Sequence, residues 1–160
     1  MILDVGCGNH PQGDINVDKC RHTFEIAQKS KIPIKTKANV IAVGEYLPFI
    51  DNTFDNVICI HTIEHADNPL QFLKELIRVS KRHIKIRCPH RFSSLAKMPY
   101  HKNFFNKKWF KTALEKMDVR FKISSNYQPF PSFSLFINLV KRTFEISIDI
   151  QKTETSKDLS

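Results

Sequence analysis

The stretch Ile2-Leu3-Asp4-Val5-Gly6-Cys7-Gly8 stands near the start of this 160-residue chain and carries the strongest indication of its fold. A short apolar run that ends in glycines is typical of a buried parallel strand that enters a tight turn. Glycine also lets a backbone approach a ligand, because no Cβ stands in the way. The four glycines of the chain all fall in predicted loops: Gly6, Gly8, Gly13 and Gly44. We interpret this clustering as a ligand-binding loop rather than as ordinary turns.

Short strands alternate with helices or loops along the first half of the chain. Strands are predicted at 1–5, 15–18, 39–43, 54–60 and 84–88, with one or two helical turns at 22–29. The best helix spans 67–80, where apolar residues recur at helical spacing. Asp67 or Asn68 can cap it, and Pro69 suits its first turn. The alternation predicts an open α/β fold, in which ligands bind beyond the carboxyl ends of the strands. The link from Gly8 to the second strand is short for a parallel crossover, so either it is trimmed or that strand is misplaced.

The second half of the chain is aromatic and basic. Of the 13 Phe, nine lie beyond Pro89, together with the single Trp. A helix that Asn106 can cap is predicted from residues at i, i+4 spacing, namely Phe105, Trp109, Ala113 and Met117. The remaining predictions are closing strands at 120–124 and 133–140, a turn-rich stretch at 128–131 and a polar tail from 152 onward.

The net charge of +9 is concentrated in one segment. Residues 1–80 carry 8 Lys or Arg against 10 Asp or Glu, residues 81–122 carry 13 against 2, and residues 123–160 carry 4 against 4. This imbalance predicts a basic surface at 81–122 for nucleic acid or another polyanion, with a merely solvated surface as an equal alternative. Aromatic rings among the basic residues could stack on bases, but their helical spacing favours core packing.

Length and composition predict a single globular domain. The chain is 41% hydrophobic and 26% charged. No run approaches the roughly 18 apolar residues of a membrane-spanning helix, and the start of the sequence lacks a basic-then-apolar signal pattern. We therefore expect a cytoplasmic location with no membrane span.

The sequence predicts neither a metal site nor a disulfide. The four cysteines form no C-x-x-C pair, and we expect them to be reduced and mostly buried. His61-Thr62-Ile63-Glu64-His65 does match the H-x-x-E-H pattern of inverted zinc peptidases, which requires a helix. Because this stretch follows a predicted strand directly and Pro69 comes four positions later, we disfavour that class of enzyme.

Asp18 ends the second predicted strand. Acidic residues at this point of nucleotide-binding sheets accept hydrogen bonds from ribose hydroxyls, and a helix or turn cap is the alternative role. The spacing from Gly8 to Gly13 does not match the dinucleotide pattern, which disfavours a nicotinamide site. The sequence itself therefore indicates a nucleotide-like ligand without identifying it.

Five short motifs occur in the order and approximate spacing of a known family, and the chain resembles the class I S-adenosylmethionine-dependent methyltransferases of the type 11 branch. The motifs are the stretch 2–8, Asn16-Val17-Asp18, Leu47-Pro48-Phe49, Asn52-Thr53-Phe54-Asp55 and Ile63-Glu64-His65, and the stretch 101–105 is similar to a later family segment. The resemblance implies a Rossmann-like, mostly parallel sheet with helices on both faces, in a trimmed form. It also implies S-adenosylmethionine as cofactor and S-adenosylhomocysteine as product. One methyltransferase domain is expected at 1–151, with a cofactor-binding half at 1–88, an acceptor-side half at 89–151 and a flexible tail at 152–160.

The resemblance implies eight cofactor-binding residues. They are Asp4, Gly6, Cys7, Gly8, Asp18, Gly44, Glu45 and His61. In the family, the first four wrap or support the methionine and ribose portion, the fifth binds the ribose hydroxyls, the next two lie beside adenine and the last lies beside the sulfonium. The chain departs from the family at Val43, where an aspartate is common. We also expect it to lack the helices that in the family precede the first strand and follow the glycine loop.

Methyl transfer from a sulfonium depends mostly on proximity and alignment, so a dedicated base is optional. If the acceptor must lose a proton, His61, His65 and His101 are the candidates, because imidazole titrates near neutral pH. We therefore predict a methyltransferase whose unknown acceptor is reached through residues 90–105. The alternatives are a methyltransferase-like binding module without turnover and a protein that binds RNA or another polyanion. The C-terminal aromatic segment, a partner subunit as in a homodimer, or residues upstream of Met1 could compensate for the missing helices.

Overall fold

The computed structural model describes residues 1–23, 34–129 and 142–152. The described strands are β1 (Ile2–Val5), β2 (Ile15–Asp18), β3 (His22–Thr23), β4 (Ile34–Lys35), β5 (Val40–Ile41), β6 (Phe54–Ile60), β7 (Ser80–Pro89), β8 (Arg120–Pro129) and β9 (Arg142–Gln151). The described α-helices are α1 (Pro69–Val79) and α2 (Lys107–Leu114). Short 3-10 helices lie at Ile63–His65 and Leu95–Lys97.

Seven of these strands form one mixed sheet in the order β5-β2-β1-β6-β7-β9-β8. The strands from β5 to β7 pair in parallel, and β9 pairs antiparallel with both β7 and β8. Strands β3 and β4 form a separate antiparallel pair. The predicted α/β fold with a mostly parallel sheet is therefore confirmed. Because parallel strands end at the same edge, the loops that follow β1, β2, β5 and β6 meet at one rim.

One face of the sheet carries the hydrophobic core. The register places Leu3, Val57, Ile84, Ile150 and Phe121 in one row across five strands. All but the last are at most 1% exposed. Both α-helices cover this face, since their inward residues belong to the same buried core, among them Phe72, Leu73, Leu76, Phe110 and Leu114.

The opposite face is polar. The neighbouring row places Ile58 on β6, Lys85 on β7, Asp149 on β9 and Lys122 on β8. The last three are exposed, and neither α1 nor α2, the α-helices of the described ranges, packs on this face. For the described residues, the expectation of helices on both faces of the sheet is therefore corrected. A shallow groove of about 700 Å³ follows it. Alternation of apolar and charged residues is what a sheet with one solvated face requires.

The basic residues of 81–122 are divided between the two sides of the molecule. Lys85 and Lys122 project from the polar face of the sheet, where Asp149 lies between them. Lys107, Lys108 and Lys111 belong to α2, which covers the opposite face, and all three belong to the exposed side of that helix. These five basic residues therefore do not form one continuous basic surface.

Several predicted elements are confirmed, with shifted bounds. The strands at 15–18 and 54–60 agree residue by residue, and β2 pairs in parallel with β1, so the connection after the glycine loop is trimmed. Asn68 caps α1 by accepting from Gln71 N at 3.1 Å, and Asn106 caps α2 by accepting from Trp109 N at 2.9 Å. Met117 lies beyond the end of α2 but still packs against the core.

Other expectations are corrected or fall outside the described residues. The predicted turn at 128–131 is wrong in its first half, because Gln128 and Pro129 continue β8 against Thr143 and Arg142. Helical turns were predicted at 22–29, but His22 and Thr23 form strand β3. The rest of that stretch, the predicted strand at 133–140 and most of the tail lie outside the described residues. Strand β9 was not predicted.

Two expectations, about the cysteines and about membrane-spanning helices, are also tested. The four cysteines are thiols rather than disulfides, and Cys7, Cys59 and Cys88 are buried as expected. Among the described helices, none is long and apolar enough to cross a membrane.

Candidate cofactor site

A cavity of about 640 Å³ opens at the rim where the parallel strands end. Its walls come from the loops after β1, β2, β5 and β6, together with Tyr100 from a later segment. Seven of the eight predicted cofactor-binding residues line it: Gly6, Cys7, Gly8, Asp18, Gly44, Glu45 and His61. The fold thus gathers residues that are distant in sequence into one cavity.

The glycine loop is tied to β2 and opens toward the cavity at Gly8. Gly6 has φ +80° and donates from its N–H to the Val17 carbonyl at 2.8 Å. A Cβ on Gly6 would lie 2.1 Å from the Thr62 side chain, so close packing alone requires glycine there. Gly8 has φ +54°, and a Cβ on it would meet no atom within 4 Å. Gly8 is therefore the glycine that leaves room for a ligand.

Two carboxylates fix the conformation of this loop. Asp18 accepts from Gly8 N at 3.0 Å and from Cys20 N at 3.3 Å, one with each oxygen. Asp4 lies beneath the loop, is 3% exposed and accepts from Gln12 N at 2.9 Å. Burial raises the pKa of Asp4. Asp18 Oδ1 also accepts from Cys20 Sγ at 3.7 Å, whereas Oδ2 retains a further lone pair, so this carboxylate can hold the loop and accept from a ligand hydroxyl together.

Gly44 and Glu45 shape the opposite wall mainly by packing. A Cβ on Gly44 would lie 2.0 Å from the Phe72 ring, so glycine is required to seat this loop on α1. The Glu45 carboxylate accepts from Asp67 N at 2.8 Å. Val43, where the family often has an aspartate, is 43% exposed and gives the wall an apolar side chain. Backbone groups and this apolar surface are what the wall offers to a planar base.

Cys7 lines the cavity but is poorly suited to nucleophilic chemistry. Burial, reinforced by the charges of Asp18 and Asp4, raises the pKa of its thiol to about 11. The thiolate is the reactive form of cysteine, so Cys7 stays protonated at neutral pH. Its Sγ lies 3.6 Å from the Gly8 carbonyl oxygen. Cys7 therefore acts as a small wall residue.

His61 follows β6 with φ +53° and lies between two carboxylates. Its Nε2 is 2.9 Å from Glu145 Oε1, and its Nδ1 is 3.6 Å from Glu64 Oε1. The neighbouring Glu64 carboxylate, with a smaller contribution from Glu145 and against the effect of burial, raises the pKa of His61. The charged imidazolium is therefore favoured at this edge of the cavity.

The other two candidate histidines, His65 and His101, pack against each other beside His61. Their rings meet edge to face with centroids 4.7 Å apart. His65 lines the cavity, and its Nδ1 is 3.0 Å from the Tyr100 carbonyl oxygen. His101 lies behind it with a side chain 8% exposed, and burial lowers its pKa despite the nearby Glu64. The three histidines predicted as catalytic candidates are thus neighbours, but only His61 and His65 line the cavity.

Sequence reasoning missed some residues of the site. Thr62, Phe72 and Tyr100 line the cavity, and Glu145 pairs with His61. Thr62 and Tyr100 adjoin predicted histidines and could have been found from that adjacency. Glu145 could not, because β9 was not predicted and the pairing depends on the antiparallel return of this strand to β7.

The chain belongs to the methyltransferase domain family, whose model matches residues 3–86. An uncharacterized protein of Methanocaldococcus jannaschii is 34% identical over 87 residues, which are 54% of this chain and 38% of the relative. The chain thus spans about two fifths of the length of that curated relative.

Solved methyltransferases share the fold. A methyltransferase of Thermotoga maritima, described as dependent on S-adenosylmethionine and as a possible histamine N-methyltransferase, has a TM-score of 0.66 at 22% identity, covering 95% of this chain and 82% of that one. The plantazolicin methyltransferase BpumL, in complex with a substrate analogue and S-adenosylhomocysteine, has a TM-score of 0.60 at 18% identity, covering 95% and 76%. These likenesses confirm a Rossmann-like fold of the class I methyltransferase type.

The cavity fits the cofactor that the family and the fold support, S-adenosylmethionine. Gly8 leaves a cradle that any side chain would occupy, and Asp18 presents carboxylate lone pairs beside it. Val43 supplies an apolar wall on the far side. A nucleoside with two ribose hydroxyls and a flat base requires these three features.

Proposed function

We propose that this protein is an S-adenosylmethionine-dependent methyltransferase with an acceptor that remains to be identified. The observation that carries the proposal is the free space beside Gly8, next to the Asp18 carboxylate. His61, at the end of β6, lines the same cavity. Membership of the methyltransferase domain family supports the reaction class.

Each part of the cavity has a role in this proposal. The loop from Gly6 to Gly8 holds the methionine and ribose portion, with Asp4 fixing the loop from below. Asp18 accepts from the ribose hydroxyls. Gly44 and Glu45 position the wall beside adenine, Glu45 through the contact of its carboxylate with the backbone of Asp67. The loop residues thus act by positioning rather than by chemistry.

The bound cofactor supplies a methyl group on a positively charged sulfur, already activated for displacement. The protein therefore needs to align an acceptor and exclude water, which can account for most of the rate. The carboxylates on either side raise the pKa of His61 and favour its charged form, so we assign it to positioning the end of β6. His65 lines the cavity, and its Nε2 is the imidazole nitrogen best placed to accept a proton from an acceptor.

Calorimetric titration with S-adenosylmethionine and S-adenosylhomocysteine tests the proposal. Saturable binding of one molecule per chain is expected, and absence of binding at millimolar concentration would overturn it. Asp18→Asn should weaken binding about tenfold, equivalent to about 1.4 kcal/mol, because the amide loses the charge that strengthens hydrogen bonds from hydroxyls. Asp14→Asn is the matched control, since Asp14 accepts from Ile2 N outside the cavity. Binding without methyl transfer to a broad acceptor panel would favour the alternative of a binding module.

Binding of nucleic acid or another polyanion is the second candidate function, and the 13-to-2 excess of basic residues at 81–122 favours it. Affinity for RNA should fall steeply with salt if Lys and Arg neutralise phosphates. Loss of binding in Lys107→Ala/Lys108→Ala/Lys111→Ala, but not in Lys85→Ala/Lys122→Ala, would assign the contact to α2. No affinity at low salt would remove this candidate. A cytoplasmic location and a homodimer also stay predictions.

A further inference from the structure

A buried carboxylate without a hydrogen-bond partner lies beside the candidate cofactor site. Glu64 is 1% exposed, and within the described part of the chain neither of its carboxylate oxygens accepts a hydrogen bond. His61 Nδ1 and His101 Nε2 lie 3.6 and 4.0 Å from Oε1, close enough for attraction but too far for a good hydrogen bond. A buried carboxylate is costly unless it is both paired and hydrogen-bonded or binds a metal, and Glu64 has the charge of His61 nearby but no hydrogen-bond donor among the described residues.

Two imidazoles converge on this carboxylate. One ligand atom from each of Glu64, His65 and His101 lies within 4.8 Å of the other two. The Tyr100 carbonyl oxygen, 3.0 Å from His65 Nδ1, can only accept, so Nδ1 carries the proton and Nε2 keeps its lone pair. Metal-binding histidines are oriented in this way by a second acceptor. His101 Nδ1 is also buried and has no hydrogen-bond partner among the described residues.

The backbone holds these side chains together across two distant segments. Lys102 N and Asn103 N donate to the Glu64 carbonyl at 2.9 and 3.0 Å. The Asn103 side chain also donates to the Ala66 carbonyl at 2.7 Å. Glu64 and Ala66 are thereby fixed to the segment that carries His101. The three ligand atoms therefore do not depend on a flexible loop for their approach.

We propose that Glu64, His65 and His101 bind a divalent transition metal, with Zn²⁺ as the best match. Two imidazole nitrogens and one carboxylate oxygen are a common zinc donor set with coordination positions left open. A tetrahedral zinc separates its ligand atoms by about 3.3 Å, so small side-chain rotations suffice. Because His65 lines the cavity, the open positions are available there to water or to an acceptor atom. A metal ion bound to His65 Nε2 would occupy the lone pair of that nitrogen, which could then not accept a proton from the methyl acceptor.

This ligand set differs from the H-x-x-E-H pattern of the sequence. His61 is engaged by Glu145, and the stretch from Ile63 to His65 is a 3-10 helix rather than an α-helix. The third ligand is His101, which is distant in sequence. The site is therefore a product of this fold and not of the peptidase motif.

Metal content and calorimetry on the full chain test the inference. After treatment with a chelator, titration with zinc chloride should show one ion per chain, and elemental analysis of the dialysed protein should give the same ratio. Glu64→Gln and His101→Gln should each lower zinc affinity at least tenfold. Cobalt substitution provides a second readout, because four-coordinate Co²⁺ has strong visible bands that both variants should lose. Thermal melting checks that the variants fold.

Two controls separate this site from adventitious binding. His83→Gln changes an exposed histidine on β7, and Cys20→Ser removes a partly exposed thiol. Both variants should keep one zinc per chain. Zinc retained by both Glu64→Gln and His101→Gln, zinc lost on Cys20→Ser, or no zinc bound by the wild type would each overturn the inference. The proposed function is tested separately by cofactor titration of the same metal-free protein, so failure of the one is distinguishable from failure of the other.

Discussion

Gly44 lies so close to Phe72 that a Cβ on residue 44 would stand 2.0 Å from the ring carbon Cε2. The backbone of the loop after β5 therefore rests directly on the first turn of α1. Since both the loop and Phe72 line the cavity, one packing contact sets the position of the wall that the cofactor would face. The glycine is needed by the protein core as much as by any ligand.

Gly44→Ala should therefore destabilise the fold. A methyl group in a filled core position costs about 1–3 kcal/mol, because side chains or backbone must shift to accept it. Urea denaturation of the purified variant measures this loss. In Gly44→Ala/Phe72→Leu the smaller side chain gives room, so the double variant should lose less stability than the two single losses added together. Strict additivity would contradict the contact.

Gly8→Asn should separate ligand binding from stability. Asparagine tolerates the left-handed conformation that Gly8 adopts at φ +54°, so the loss of stability should stay within about 1 kcal/mol. Its side chain would occupy the open cradle, and affinity for S-adenosylhomocysteine should fall at least about tenfold, equivalent to 1.4 kcal/mol. Calorimetry and urea denaturation on one preparation give both quantities. Unchanged affinity would show that the cofactor does not approach Gly8.

The sequence was informative where local pattern and fold agree, and less so where tertiary packing decides. Apolar runs predicted β2 and β6 correctly, and Asn106 was identified as a helix cap from its position alone. The glycines were interpreted as ligand-binding residues, yet Gly6 and Gly44 are required by contacts with Thr62 and Phe72. Those contacts join segments far apart in sequence, so no local pattern could have revealed them.

The polar face of the sheet shows a further limit of sequence reasoning. A strand was predicted at 84–88 without an assignment of its two faces, and in the structure Lys85 projects from a solvated face, whereas Ile84 and Ile86 project from the core face. Alternation of this kind is visible in the sequence, but its meaning depends on which helices cover the sheet. That information resides in the topology, with α1 and α2 on the same side.

Adjacent residues on β7 should therefore respond in opposite ways to a change of polarity. Lys85→Ile places an apolar side chain on the exposed face and should change the free energy of unfolding by no more than about 0.5 kcal/mol. Ile86→Lys buries a charge in a position that is 0% exposed and should prevent folding at ordinary temperature. Circular dichroism melting distinguishes the two variants. Equal destabilisation would mean that both faces are buried.

Arg78 and Glu75 should give the fold a distinct pH dependence. Arg78 Nε and Nη2 donate to the two Glu75 carboxylate oxygens at 2.6 and 2.8 Å, and Glu75 also accepts from Leu47 N at 2.8 Å. The Arg78 guanidinium, against the effect of burial, holds the pKa of Glu75 below its ordinary value of 4.5. A carboxylate with a lowered pKa stabilises the fold above its unfolded pKa, and this contribution is lost as pH falls toward the folded pKa.

Arg78→Gln should cost about 2–3 kcal/mol at pH 7, because a largely buried carboxylate loses its charged donors. As pH falls from about 5 to 3, the wild type should lose the contribution of this pair, whereas Arg78→Gln should lose less over the same range. Arg82→Gln is the matched control, since Arg82 is exposed and removal of the same charge should leave stability at pH 7 within about 0.5 kcal/mol. Urea denaturation at several pH values measures all three proteins. A parallel pH dependence in wild type and Arg78→Gln would show that the ion pair does not control the titration of Glu75.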